Sequence, residues 1–599
     1  MTAQSSGENA QSPSFDASQG VQGSFVLMLH SHLPFYRKAG MWPFGEENLY
    51  ECMAETYLPL LNAVNELLAE GILAKITVGI TPILAEQLAD AHLQQGFIDY
   101  IRARLKAVET DLAQYPDPKV PHSEHLAYLA SFYQKQFRQT LDDFTNRYER
   151  NLLAGFKKLQ DAGAIEITTS AATHGFSPLL ASDASLQAQY KTGVDAYQRH
   201  FGKSPRGCWL PECAYRPAMD VVDPATSQVN RRPSIDAFLY QNQLQYFFTE
   251  YHAIEGGVTY GTRPLAGIYG SIQHIPLPAR VPTGLSTYEA YWMKDYPVAV
   301  MGRNDRVSFQ VWSAAHGYPG DGLYREFHKK DEQSGMHYWA LTSKDCDLAH
   351  KMYYDPERAV NQTQSHADHF VHLVQEMIEQ RRAEEASADA GSQTDADASH
   401  PLVMVSFDTE LYGHWWFEGV EWLKRVIRGL HQNPVVQIQT AGEYLTQYPP
   451  KQSIGLPEST WGQGGHYWVW NNHHTEWMWP VIHQAERQME SLVARFGEKP
   501  NPLQTRILNQ ALRELLLLQS SDWPFLVTTF QAKDYAIERF QGHVDRFNLL
   551  FDMLELKNAD EVALAEIEEL DNAFPGIDYR WYHLEAIPQP QTTAVALTK

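Results

Sequence analysis

Between residues 24 and 450, short apolar runs alternate with longer segments of helical spacing, and several of those runs end in a reactive polar side chain. His30 and His32 follow FVLML, His174 follows IEITTSAAT, Glu212 follows GCWLP, and Asp408 and Glu410 follow VMVSF. Apolar runs of this length are buried strands, and their alternation with helices is the pattern of a parallel sheet joined by helical crossovers. In such folds the C-terminal strand ends form the face where chemistry is done. One polar strand end means little, but four sets in series mark a site. No G-x-G-x-x-G follows the first run and no P-loop lysine motif occurs, so no nucleotide-binding turn is read. The segment is longer than an open nucleotide-binding sheet needs and suits a barrel with inserted loops.

The rest of the 599 residues divides around that segment. Residues 1–23 are polar, with neither the basic start nor the apolar centre of a secretory signal, and are expected to be a disordered tail. Insertions are expected at about 213–300, with 271–297 a proline-containing loop, and the small, acidic stretch 383–400 is expected to be disordered. After 450 the pattern becomes long amphipathic helices, which predicts a helical C-terminal domain over 451–585 and a tail at 586–599. No run approaches the roughly 18 apolar residues of a membrane span. The net charge of -24 disfavours a nucleic-acid or anionic-membrane partner but is indifferent to a neutral substrate. Four cysteines are too few for a disulfide framework and are expected to be reduced thiols of a cytoplasmic protein.

Glu212 stands inside WLPECAYRP, an apolar and aromatic frame that is costly for a carboxylate unless it is paired or hydrogen-bonded. Paired with Asp408, it makes the usual equipment for glycosidic bond chemistry, one carboxylate attacking the anomeric carbon while the other protonates the leaving oxygen. His30, His32 and His174 admit two readings: ligands of a metal together with Asp408, or donors and acceptors for sugar hydroxyls. H-x-H alone is a weak metal signal. Aromatic side chains with glycines, Trp461 and Trp470 in TWGQGGHYWVWNN and Trp415 in YGHWWFEG, suit the apolar face of a sugar ring. Trp468 and Trp477 read as domain-interface residues, and Asp522 in SSDWPF reads by itself as a helix cap.

Taken in order, HSHLPF, ATHGFSP, WLPECAYRP, FDTELYGHWWFEG and the late WGQGGHYWVW and SSDWPF resemble glycoside hydrolase family 57, and within it the 1,4-α-glucan branching members. The resemblance spans roughly residues 24–545. It implies a distorted (β/α)7 TIM-like barrel with an inserted small helical region and an α-helical C-terminal domain that completes a glucan cleft. It implies a retaining double displacement without metal or cofactor, with Glu212 as nucleophile and Asp408 as general acid/base. It further implies substrate-binding roles for His30, His32, His174, Trp209, Trp312, Trp415, Trp461, Trp470 and Asp522, and for Tyr269 on a loop that shields the intermediate from water. The expected partner is an α-1,4-glucan such as amylose, amylopectin or glycogen; an oligomeric state is not read. The runner-up is a 4-α-glucanotransferase or α-amylase of the same family. A metal-dependent carbohydrate deacetylase and a non-catalytic glucan-binding protein are remoter readings. Two departures stand out: Asn48 takes the place of a tryptophan after WPFGEE, and the loop following Tyr269 is long.

Overall fold

The computed structural model describes residues 20–115, 117, 119–222, 229–256, 260–264, 272–276, 281–313, 316–388, 400–583 and 586–588. Seven strands carry the architecture: β1 (Gly23–Ser31), β2 (Ile76–Ile80), β3 (Ile165–Ser170), β4 (Gly207–Trp209), β5 (Tyr246–Thr249), β6 (Ala299–Gly302) and β7 (Leu402–Asp408). All run parallel, in the order β7-β1-β2-β3-β4-β5-β6. The sheet curls until its two ends meet. There the backbone N–H of Asn304, just past β6, donates to the Met404 carbonyl of β7 at 2.7 Å. Beyond β6 the sheet continues outward through an antiparallel strand, Ala290–Met293, and the short parallel strand Ser453–Ile454.

The strands read as near-continuous apolar runs because both faces are buried, as in other parallel sheets with helical crossovers. Alternate residues point inward. Val26 and Met28 of β1, Trp209 of β4, Tyr246 and Phe248 of β5, Ala299 and Met301 of β6, and Leu402 and Met404 of β7 fill one interior cluster. Phe25, Leu27 and Leu29 of β1 and Val403, Val405 and Phe407 of β7 face the surrounding helices. Continuing the inward series past the apolar layer gives His30, Glu250 and Arg303 one step on, and Ser406 and then Asp408 in β7. The period-two pattern that packs the barrel therefore delivers polar groups to its mouth.

The helical insertion lies between β2 and β3. It is built on the helices Ala91–Gln114, capped by Asp90, and Ser123–Asp142. The region 213–300, expected to hold helical or loop insertions, carries the short helices Ile235–Gln241 and Tyr251–Ile254, two hairpins (219–222 with 229–232, and 260–264 with 272–276), barrel strand β5 and the strand Ala290–Met293. The aromatic runs Tyr246–Thr249 and Ala290–Met293 join the barrel sheet, while each hairpin forms a two-stranded sheet of its own. Thus 271–297 is not one extended loop. The acidic stretch also differs at its start, because the helix Pro356–Ala388 runs into it as far as Ala388; residues 389–399 lie outside the described residues, as do 1–19 and Tyr269.

Past residue 470 the described chain forms five α-helices, Met478–Phe496, Pro502–Leu518, Asp522–Thr529, Lys533–Glu555 and Glu561–Leu570. Pro502–Leu518 starts on a capping box formed by Asn501 and Gln504 and is buried on all sides from Gln510 to Leu518, with Gln510, Arg513 and Glu514 buried among its leucines. Its leucines belong to the same cluster as Cys208 and Leu210 of the β4 segment and Phe247 of β5. The helical region thus shares a core with one flank of the barrel. Among the described residues, no helix is long and apolar enough to cross a membrane.

Candidate active site

Glu212 follows β4 in a left-handed backbone conformation, with φ +58° and ψ 25°, and Cys213 repeats it at φ +52°. A non-glycine residue held there is strained, and such strain concentrates at functional sites. The turn leaves the carboxylate in the wall of the barrel mouth, 9% exposed. Two side chains from far along the sequence satisfy it. Ser521 Oγ donates to Oε1 at 2.7 Å, and Trp461 Nε1 donates to Oε2 at 2.9 Å. Burial and the nearby Asp522 push the Glu212 carboxyl up from its ordinary value; the two donors and His32 pull it back.

The histidines form one stacked group on the other side. His30 lies over the Trp209 ring at 4.9 Å, and His32 over His174 at 3.9 Å. His30 Nε2 and His174 Nε2 are 3.1 Å apart, and His174 Nδ1 reaches Ser521 Oγ at 2.8 Å. His174 itself sits at φ +58°. Desolvation, with His32 alongside, holds His30 and His174 well below the usual imidazole range, so both are neutral. Burial would lower His32 too, but Asp522, 3.1 Å from its Nε2, raises it. The imidazole nitrogens of His30 and His174 hydrogen-bond each other instead of converging on a common point, which does not suit a shared ion. Among the described residues the one cluster with metal-ligand spacing is Glu514, His543 and Asp571. Arg546 occupies it, its Nε 2.7 Å from Asp571 and 3.2 Å from Glu514.

Asp408 is the last residue of β7 and pairs in register with His30 of β1. Desolvation first, then Glu410 and Glu212, raise its carboxyl well above the ordinary range, against an opposing Arg303. Glu410 is pushed up to about 7 by burial and is held by the Tyr57 hydroxyl and the His32 backbone N–H. One buried carboxyl that keeps its proton and another supplied with donors to its anion are the complementary states that acid and nucleophile require.

His30, His32, His174, Trp209, Glu212, Trp461 and Asp522 are therefore brought into one connected group, with Asp408 beside it. Trp209 is fully buried beneath His30, so it forms the floor of the site and offers no open ring face. Trp470 does not line an open cleft either. It is 1% exposed, stacked on Phe176 at 4.6 Å, and roofed by Gly462, where an added Cβ would come 2.5 Å from its ring. It supports the Trp461 loop from below. Trp312 and Trp415 stand apart as a half-exposed edge-to-face pair, centroids 6.5 Å apart. Ser521, the bridge between His174 and Glu212, and the buried pair Glu250–Arg303, 2.8 Å apart, were not singled out by sequence. The signals were present: Ser521 lies in SSDWPF, Glu250 follows YFFT, and Arg303 follows AVMG.

Residues 26–457 match the family model for glycosyl hydrolase family 57, and residues 481–582 match that for the C-terminal region of 1,4-alpha-glucan branching enzymes. The 1,4-alpha-glucan branching enzyme of Thermococcus kodakarensis is 40% identical over 561 residues, 92% of this chain and 78% of that one. A crystal structure of the Pyrococcus horikoshii branching enzyme of family 57 superimposes with a TM-score of 0.81 at 37% identity, covering 95% of this chain and 98% of that one. The alpha-amylase AmyC of Thermotoga maritima superimposes at 0.77 and 30% identity, over 95% and 100% of the two chains.

Proposed function

The chain belongs to glycosyl hydrolase family 57, and we propose that the groups at its strand ends, with donors from the C-terminal helices, perform 1,4-α-glucan branching by double displacement. Its reaction is that of a 1,4-α-glucan branching enzyme. In our reading Glu212 attacks the anomeric carbon of an α-1,4-linked unit while Asp408 protonates the departing chain. A covalent glucosyl-enzyme results. Asp408, now ionised, takes the proton from an incoming glucose 6-hydroxyl, whose oxygen displaces Glu212 and forms an α-1,6 branch. His32 and Asp522 hold hydroxyls near the reacting unit, the buried His30 and His174 support them from behind, and Trp312, Trp415 and Trp461 carry the flanking chain. The four cysteines are free, which suits a reducing, cytoplasmic setting.

The observation that carries this reading is the contrast between the carboxylates: Glu212 receives two side-chain donors, while Asp408 is surrounded by Glu410 and Glu212 and keeps its proton. The likeness to an alpha-amylase makes hydrolysis the second reading, since water and a 6-hydroxyl use the same carboxylate pair. Digesting amylose and counting reducing ends before and after debranching separates the two. Ends that appear only after debranching support branching; ends that rise at once would establish hydrolysis.

A further inference from the structure

Glu212 Oε1, Ser521 Oγ, His174 and His30 form an unbroken chain of contacts of 2.7, 2.8 and 3.1 Å. All four residues are buried, and the chain ends at His30 Nδ1, a buried nitrogen without a hydrogen-bond partner among the described residues. We propose that Ser521 is a positioning residue: its hydroxyl aligns the nucleophile and locks His174 and His30 into one pair of tautomers that reverses when Glu212 gains a proton. The proposal rests on Glu212 being the nucleophile.

The polarity follows from donor counting. An ionised carboxylate can only accept, so Ser521 donates to Glu212. The Ser521 oxygen then accepts from His174 Nδ1–H. Neutral His174 is left with a lone pair on Nε2, which accepts from His30 Nε2–H. Neutral His30 is left with a lone pair on Nδ1, the buried end of the chain. The three groups beyond Glu212 hold three protons. A fourth proton on Glu212 Oε1 reverses every link: Glu212 donates to Ser521, Ser521 to His174 Nδ1, and His174 Nε2–H to His30 Nε2. The His30 proton then sits on Nδ1, where it can only donate. The far end of the chain thus carries an acceptor when the nucleophile is charged and a donor when it is not. The glucosyl ester keeps the first polarity, because its remaining oxygen still accepts. The groups facing this chain are His32, Asp522 and Asp408; none of them forms one of its links.

The test combines kinetics and spectroscopy on the full-length protein. Ser521→Ala removes a donor to the anion, so the acid limb of the kcat/KM–pH profile on amylose moves up by about one pH unit, a tenfold loss on that side. S521T, which keeps the hydroxyl, returns the limb toward that of the parent. In the parent, nitrogen NMR of labelled histidines finds His174 protonated at Nδ1 and His30 at Nε2 above the limb. An unmoved limb in S521A, or the opposite tautomers in the parent, overturns the proposal. Glu212→Gln measured alongside separates the readings. Activity surviving in E212Q removes the nucleophile assignment, whereas an inactive E212Q with an unmoved S521A limb removes only the role of Ser521.

Discussion

His30 and Asp408 are direct partners across β1 and β7, joined residue to residue by the parallel register. The neutral state of His30 therefore matters to Asp408, because a cation at that position would draw the proton from the acid. With His30 neutral, burial and Glu410 keep Asp408 protonated. Glu410→Gln removes one negative neighbour and lowers the Asp408 carboxyl. In the proposed mechanism Asp408 acts in its protonated form, lost as pH rises, so the alkaline limb of kcat/KM moves down by about one pH unit. A limb that stays in place or moves up would show that Glu410 does not tune the acid.

Glu212→Gln keeps the shape of the strained turn but cannot form the ester. Branching measured by debranching analysis falls by roughly four orders of magnitude or more. Because the Gln amide oxygen can still accept from Trp461 Nε1 while its NH2 donates to Ser521 Oγ, the melting temperature stays within a few degrees of the parent. Full turnover in this variant would remove Glu212 from the reaction.

Trp312 and Trp415 are 46% and 43% exposed, and the backbone of Trp415 is tied to the Glu410 carbonyl at 3.1 Å. An aromatic face at such a place stabilises a sugar chain by about 1 kcal/mol. Trp312→Ala should raise KM for long amylose roughly fivefold and leave folding stability nearly unchanged. The same KM in both proteins would mean that no glucan passes over this ring.

Glu486 ties the helical region to the barrel, accepting from the backbone N–H groups of Ala181 and Ser182 at 3.0 and 3.2 Å. Burial pushes its carboxyl up to about 8. Between pH 5 and 8 the folded chain therefore holds a proton that the unfolded chain releases, and stability falls as pH rises by up to about 1.4 kcal/mol per pH unit. Glu486→Gln removes that slope, so the melting temperature of the variant gains on the parent steadily from pH 5 to 8. Parallel curves would assign the pH dependence elsewhere.

The barrel strands were legible because each buries two faces and so reads as an unbroken apolar run; β1 and β7 are the clearest cases. Glu212 and Asp408 were legible because a carboxylate at the end of such a run needs a reason. Ser521 was not, because a serine in a helical turn is ordinary until a fold places Glu212 309 residues away against it. Trp470 was misjudged for the opposite reason. Its glycine-rich surroundings suit ligand approach, and the structure spends that room on close packing between Gly462 and the indole. Glu250 and Arg303 were hidden because β5 and β6 are only four residues long and their inward parity shows only when the strands are laid side by side.

The late arrival of Ser521 also sets an order of events during synthesis. The ribosome releases Glu212 309 residues before the hydroxyl that completes its environment, and Trp461 comes 249 residues after it. At 5–20 residues per second the delay is on the order of 15–60 s. Through that interval the nascent barrel carries a carboxylate whose interior donors do not yet exist, so water must stand in for them. In the proposed mechanism the site closes only when the helix Asp522–Thr529, with Ser521 at its start, docks. A growing chain is thereby silent toward polymer until Ser521 has emerged and taken its place beside Glu212.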